Sequence, residues 1–294
     1  MTTNIRLSSI AIAASVLATF AFAQSPDIQT STTQTASRTK SVVNSVDNTE
    51  KINEARKLWG SGKFEEAIKI LEVVIQDDPK SGVAQNLIAN CYFELANFDK
   101  ALAHYNAAQA IMPTSSTIHE NIANLYFFSG KNDEVIKYAT KAIELEKERD
   151  YSYYLLGCVY ADQEKFELAL TNFDNAIKYN AEDASYEFEA ALVYMSMKKN
   201  DQAEARLKLA LKKDPKFSSA QNMLGVIAWN KDDYATAEAR FRDAIQANDK
   251  VAIFHANLAG ALLRQGKKEA AISAAKVAKS LGMKEHWSFA ELEV

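Results

Sequence analysis

The sequence predicts an all-α protein built as a stack of seven 34-residue helix-turn-helix blocks, and three observations predict it. Aligned against itself at an offset of 34, the chain keeps the same residue types in register from Asn48 to Glu285 without insertion or deletion. Small residues recur at fixed positions of each block, where two helices can approach closely. Glycine and proline number only 9 and 4 in 294 residues, while alanine, leucine, lysine and glutamate are plentiful, which favours helix over an all-β fold.

In chain order, residues 1–23 read as an export signal. Arg6 is its only charged side chain, an apolar run extends from Leu7 to Ala23, and Ala21 and Ala23 flank Phe22 as a cleavage site would require. Cleavage after Ala23 leaves Gln24 first, and no cysteine follows to carry a lipid. An uncleaved membrane anchor is the competing reading, but the run is short for a span of ~20 residues and contains Ser8, Ser9, Ser15 and Thr19. No Asn begins an Asn-x-Ser/Thr sequon, so a bacterial periplasm, or secretion, is the expected destination. Residues 24–47 are rich in Ser, Thr and Gln with few bulky apolar side chains, and are expected to form a disordered linker.

The blocks follow as 48–81, 82–115, 116–149, 150–183, 184–217, 218–251 and 252–285. Their eighth position is always Ala or Gly: Ala55, Ala89, Ala123, Gly157, Ala191, Gly225 and Ala259. The twentieth is Ala except for Val135, and Ala recurs at the twenty-seventh from Ala108 onward. Large residues fill the holes thus made, with tyrosines at the eleventh position from Tyr92 to Tyr194, and Leu71, Tyr105, Phe173, Leu207 and Phe241 at the twenty-fourth. Gly62, Gly130 and Gly266 break the chain after first helices, and Pro79, Pro113 and Pro215 after second helices. Residues 286–294 carry Trp287, Phe289 and Leu292, a short cap over the last hairpin or, on a rival reading, a homodimer contact through the array end.

Period, length and pattern together resemble the tetratricopeptide repeat, and Asn121-Ile-Ala-Asn-Leu-Tyr126 is similar to that family's first-helix core. The resemblance implies a right-handed superhelical solenoid whose first helices line a concave groove that receives a peptide. It implies that the second, fifth, sixth, ninth, twelfth and thirteenth positions face the ligand. Carried onto this chain, those positions nominate Asn90, Phe93, Asn124, Phe127, Tyr151, Tyr154, Phe188, Met195 and Trp229 as the peptide-binding groove, with Phe128 beside them. The aromatics would be anchors and the two asparagines partners for a peptide backbone. Glu94, Glu120, Asp162 and Glu189 add negative charge.

Those six positions in blocks two to six contain no Lys or Arg, where the overall frequency would place about three or four. Packing of the same aromatics between repeats would also disfavour lysine there, and is the competing explanation. Family members that clamp acidic C-terminal peptides use lysines and arginines at these positions, so a neutral or basic segment is the expected ligand.

No catalytic or metal site is expected, and no cofactor. His104, His119, His255 and His286 lie in no ligand spacing. Gly60-Ser-Gly-Lys63 has Phe64 where a phosphate loop needs a hydroxyl, and Ser37-Arg-Thr-Lys40 falls in the linker. Cys91 and Cys158, two stacking steps apart, are expected to be too distant for a disulfide, and either buried and inert or paired with another chain. With 34 Lys plus Arg against 38 Asp plus Glu, nucleic acid is an unsuitable partner. A non-catalytic protein-interaction scaffold in an envelope complex is the expected function, with a self-assembling homo-oligomer as the alternative.

Overall fold

Residues 38–293 are described by the computed structural model, with side chains from Asp47 onward. The export signal and most of the expected linker therefore lie outside the described residues. Fifteen helices and no strand occur among the described residues.

The division of the chain falls after Gln163. The first unit holds α1 (Arg38–Gly60), α2 (Phe64–Asp77), α3 (Gly82–Glu94), α4 (Phe98–Ile111), α5 (Ser116–Phe128), α6 (Asn132–Leu145) and α7 (Asp150–Asp162). Within it α1 pairs with α2, α3 with α4 and α5 with α6, and the first helices α3, α5 and α7 lie in succession against one another. The second unit holds α8 (Phe166–Tyr179), α9 (Ala184–Ser196), α10 (Asn200–Lys213), α11 (Ser218–Asn230), α12 (Tyr234–Ala247), α13 (Ala252–Arg264), α14 (Lys268–Ser280) and the one-turn-and-a-half α15 (Trp287–Leu292). Here α9 pairs with α10, α11 with α12 and α13 with α14, and α15 packs on the last pair.

One boundary differs from the sequence reading. α1 starts at Arg38, ten residues before Asn48, so the segment taken as linker is helical from Arg38. No Gly or Pro interrupts residues 38–59, and a helix already nucleated extends by one hydrogen bond per added residue.

Every block makes the same break between its helices. The fifteenth residue is left-handed throughout: Gly62, Gly130 and Gly266, but also Ala96, Glu164, Lys198 and Asp232, with φ of 55–59°. The next residue's N–H bonds back five residues, as Asn97 does to Tyr92 O at 2.8 Å and Lys199 to Tyr194 O at 2.8 Å. These bonds satisfy carbonyls that the helix end would orphan, which offsets the cost of holding a side chain at positive φ. Glycine therefore marks only some of these turns. Ser81, Asn97, Ser115, Asp183 and Asp233 cap the following helices through their side-chain oxygens.

The small positions are where helices touch. Ala67, Ala101, Ala203, Ala237 and Ala271 are fully buried, and Val135 is accommodated in the same way. Gly225 shows the fit most sharply: a Cβ there would overlap the ring of Phe241. Block five has Ala191 and Leu207 at the corresponding positions. Gly225→Ala is therefore expected to destabilise by about 1–3 kcal/mol through overpacking. Adding Phe241→Leu should recover most of the loss, and urea midpoints of the two variants check it.

Candidate functional site

The candidate groove residues lie on first helices, and each unit positions its own set. In the first unit Asn90 on α3 and Asn124 on α5 both occupy the ninth block position. The Oδ1 of Asn90 accepts from Tyr105 OH at 2.7 Å and from Asn121 Nδ2 at 3.3 Å. The Oδ1 of Asn124 accepts from Tyr151 OH at 2.8 Å. These bonds assign the amide orientation. Both carbonyls are thus engaged from within the protein, whereas neither Nδ2 has a hydrogen-bond partner among the described residues. The sequence reading gave these amides both donor and acceptor roles; the structure leaves them chiefly as donors.

The aromatics separate into two groups. Phe127, Tyr154 and Phe188 are only 6, 5 and 2% exposed. Phe127 packs edge-on to Phe128, Tyr154 stacks with Tyr151 at 5.5 Å, and Phe188 lies 4.9 Å from Phe217. Named in the sequence as ligand anchors, these three are placed in the core and offer a ligand little ring surface. Phe93, Tyr151, Met195 and Trp229 are half-buried and Phe128 is exposed. Phe93 meets Phe128 edge-on at 5.3 Å, so together they form an apolar corner beside Asn90 and Asn124 on the same helices.

The charges are also rearranged. Glu120, buried on α5, is held by Arg149 through two nitrogens and accepts from Ser152 Oγ at 2.7 Å. Arg149 further reaches Thr117 and Glu146. A cation from the end of block three, outside the six candidate positions, thus neutralises one of the expected acidic groups. Asp162 accepts from Asn132 Nδ2 at 3.2 Å, and partial burial raises the Glu94 carboxyl.

In the second unit, Glu187 on α9 accepts from Arg206 at 2.9 Å and Lys213 at 3.1 Å, and Arg206 also binds Asp174. Two residues on, Glu189 is 7% exposed and has no hydrogen bond or ion pair among the described residues. Burial alone pushes its carboxyl up to about 7.

Sequence reasoning missed the residues that orient the asparagines. A signal was present, however: Asn121 Nδ2 donates to Asn86 Oδ1 at 3.0 Å and Asn257 Nδ2 to Asn222 Oδ1 at 2.9 Å. Both pairs are 35 apart, one block plus one residue.

The histidines have structural partners. His119 contacts Pro113 O and Gln109, His255 contacts Asp249 O, His104 contacts Gln85, and His286 contacts Ser288. Cys91 and Cys158 are both buried and in no disulfide among the described residues, and burial, with Glu94 adding to it, pushes the Cys91 thiol up to about 12, where it forms almost no thiolate. Among the described residues no cluster of His, Cys, Asp or Glu could hold a metal ion, and no helix is long and apolar enough to cross a membrane.

Family models of the tetratricopeptide repeat match residues 58–125 and 116–149, and a third matches 154–216, 188–238 and 222–285. Over 194 residues the chain is 25% identical to stress-induced-phosphoprotein 1 of Caenorhabditis elegans, covering 63% of this chain and 57% of that protein. Among solved structures, a chain of the APC/C hetero-tetramer Cut9–Hcn1 matches with a TM-score of 0.66 at 16% identity, over 81% of this chain and 47% of that one. A tetratricopeptide repeat protein from Parabacteroides merdae matches at 0.63 and 18% identity, over 84% of this chain and 97% of that one. This chain therefore spans only about half the length of the worm protein and of the APC/C chain. The likeness to the solved structures is one of fold.

Proposed function

Because the chain belongs to the tetratricopeptide-repeat family, whose members generally mediate protein–protein interaction, we propose that it is a non-catalytic scaffold of the bacterial cell envelope that binds a neutral or basic peptide segment. The observation that carries this reading is the unpartnered amide nitrogen of half-buried Asn90, which the amide of Asn124 repeats one block on within a side chain that is 5% exposed. Each is held by a carbonyl already engaged within the protein. Preset donors of this kind suit the carbonyls of an extended peptide and cost little ordering on binding. Neighbouring helix layers lie about 8–10 Å apart, so the two nitrogens would read carbonyls roughly three residues apart at about 3.3 Å per residue. Phe93, Phe128 and Tyr151 provide half-buried or exposed ring surface alongside.

Two features support the preference for a basic or neutral ligand. The six first-helix positions in blocks two to six carry no Lys or Arg. Glu94 and Asp162 remain exposed, whereas Glu120 is taken up by Arg149. The envelope assignment rests on residues 1–23 and their expected cleavage after Ala23. Mass spectrometry of the exported protein would then find Gln24 first.

The binding test uses ten-residue fluorescent peptides of basic, neutral and acidic composition, titrated against the wild-type chain and Asn90→Leu/Asn124→Leu. Each lost hydrogen bond is worth about 0.5–1.5 kcal/mol, so the double variant should bind about five- to a hundred-and-fifty-fold more weakly. Basic and neutral peptides should outrank acidic ones. Equal binding by both proteins would remove the first-helix face from consideration.

A further inference from the structure

Two different tasks fall to the residues after the last block. Phe289 and Leu292 are buried with α13 and α14 and close the apolar end of the second unit. Trp287 lies elsewhere and is 39% exposed. Its ring sits 5.4 Å from that of Trp229, and the Arg264 guanidinium lies 4.8 Å from the indole centroid. A Cβ on residue 260 would come within 2.7 Å of Trp287 Cζ2. Arg264 Nη2 also reaches Glu291 Oε1 at 3.4 Å.

Trp229, Gly260 and Arg264 are the twelfth, ninth and thirteenth residues of their blocks, the same positions that elsewhere make up the candidate binding face. The ninth position holds Asn90, Asn124, Cys158, Leu192 and Val226 in blocks two to six. A glycine inside a helix costs about 1 kcal/mol relative to alanine, and here its missing Cβ opens the space the indole fills. Closing the apolar end requires Phe289 and Leu292 but not this opening. The seat suits an aromatic ring: Trp229 meets it at a tilt of 52°, and Arg264 places a cation over its face. The same arginine then takes a carboxylate one helical turn further on.

We propose that Trp229, Gly260 and Arg264 form a binding seat for a partner segment that carries a large aromatic side chain and, one helical turn later, a carboxylate, and that Trp287 and Glu291 fill this seat as a built-in stand-in. The tail thereby selects against weak ligands, since a partner must displace Trp287, while Phe289 and Leu292 keep the end of the unit closed. This seat is separate from the amide nitrogens of Asn90 and Asn124 and takes a ligand of different charge, so the two readings fail independently.

The test uses the full chain and a fluorescein-labelled peptide with the sequence of residues 286–294. Trp287→Ala should retain wild-type helicity and bind the peptide at least tenfold more tightly than wild type, because its seat is vacated. Replacing the peptide's tryptophan by alanine should abolish binding, as should Gly260→Ala in the Trp287→Ala background, where the new Cβ narrows the opening. Equal binding by wild type and Trp287→Ala, or no binding by the folded variant, overturns the proposal. So does unchanged binding of the alanine peptide, which would place it on the Phe289 and Leu292 surface. Concentration-dependent dimerisation of wild type that Trp287→Ala abolishes would overturn the partner assignment in favour of a second copy's tail.

Discussion

Arg149→Met is expected to destabilise the first unit by about 3–5 kcal/mol, the usual cost of stranding a buried charge. Glu120 is nearly inaccessible on α5, and its carboxylate is held by Arg149 and by Ser152, itself fully buried. Removing the guanidinium leaves one hydroxyl donor for a carboxylate that water can scarcely reach. The same variant breaks the links from Arg149 to Thr117 and Glu146, so the Ser116 hydroxyl bond to Glu146 is left to tie α5 to the segment leading into α7. Replacing the whole group tests whether the ion pair stabilises or merely avoids a penalty. Glu120→Leu/Arg149→Met/Ser152→Ala should return to within about 1 kcal/mol of wild type, since well-packed apolar replacements of buried pairs are often neutral. Stacked repeats can unfold in parts. Hydrogen exchange of α5 and α7 amides should therefore report the single variant's loss more directly than a global urea midpoint. Unaltered exchange in Arg149→Met would mean that the carboxylate is solvated after all.

The repeat was legible because close packing between helices tolerates very little variation. Ala101, Ala203 and Ala237 recur at one phase and are fully buried, so a period of 34 residues shows directly in the letters. From α3 onward, every first helix begins on a block's first residue, as at Gly82, Ser116, Ala184 and Ala252. Turn geometry was less legible. Ala96 and Lys198 adopt the same left-handed conformation as Gly62, because the bonds closing the turn come from the backbone and leave no mark on residue type. The candidate site was legible as a face but not as a surface. Position along a helix says that Phe93 and Phe127 point the same way; it does not say that neighbouring side chains cover Phe127 and leave Phe93 half open. Nor could spacing reveal that Tyr105 and Tyr151 turn the amides of Asn90 and Asn124, since those bonds run from a second helix in one case and from the next block in the other.

Glu189→Gln is expected to stabilise the protein at pH 8 and to do so progressively less as pH falls. Burial pushes the Glu189 carboxyl from its ordinary 4.5 up to about 7, so the folded state favours the protonated form more than the unfolded state does. Below about pH 4.5 both states hold the proton and the group costs nothing by titration. Between pH 4.5 and 7 the unfolded state releases it first, and wild-type stability falls; above about 7 the full cost is present. A shift of that size corresponds to about 3–3.5 kcal/mol. Glutamine brings its own cost, because its amide also lacks a partner, but that cost does not vary with pH. The difference between the two proteins' unfolding free energies at pH 8, less the same difference at pH 4.5, therefore isolates the titration and should come to about 3 kcal/mol. A difference independent of pH would show that the carboxylate is solvated or paired in solution. The sign also bears on function. Glu187, on the same helix, is neutralised by Arg206 and Lys213, so this fold readily supplies cations to a buried carboxylate where stability alone is at stake. At Glu189 no such partner is present among the described residues, and a destabilising group at a first-helix position is consistent with a cation brought by the ligand. A basic peptide that binds at this carboxylate would lower its pKa. Binding would then release protons near pH 7 in wild type and none in Glu189→Gln, a signal that calorimetry in buffers of different ionisation enthalpy can read.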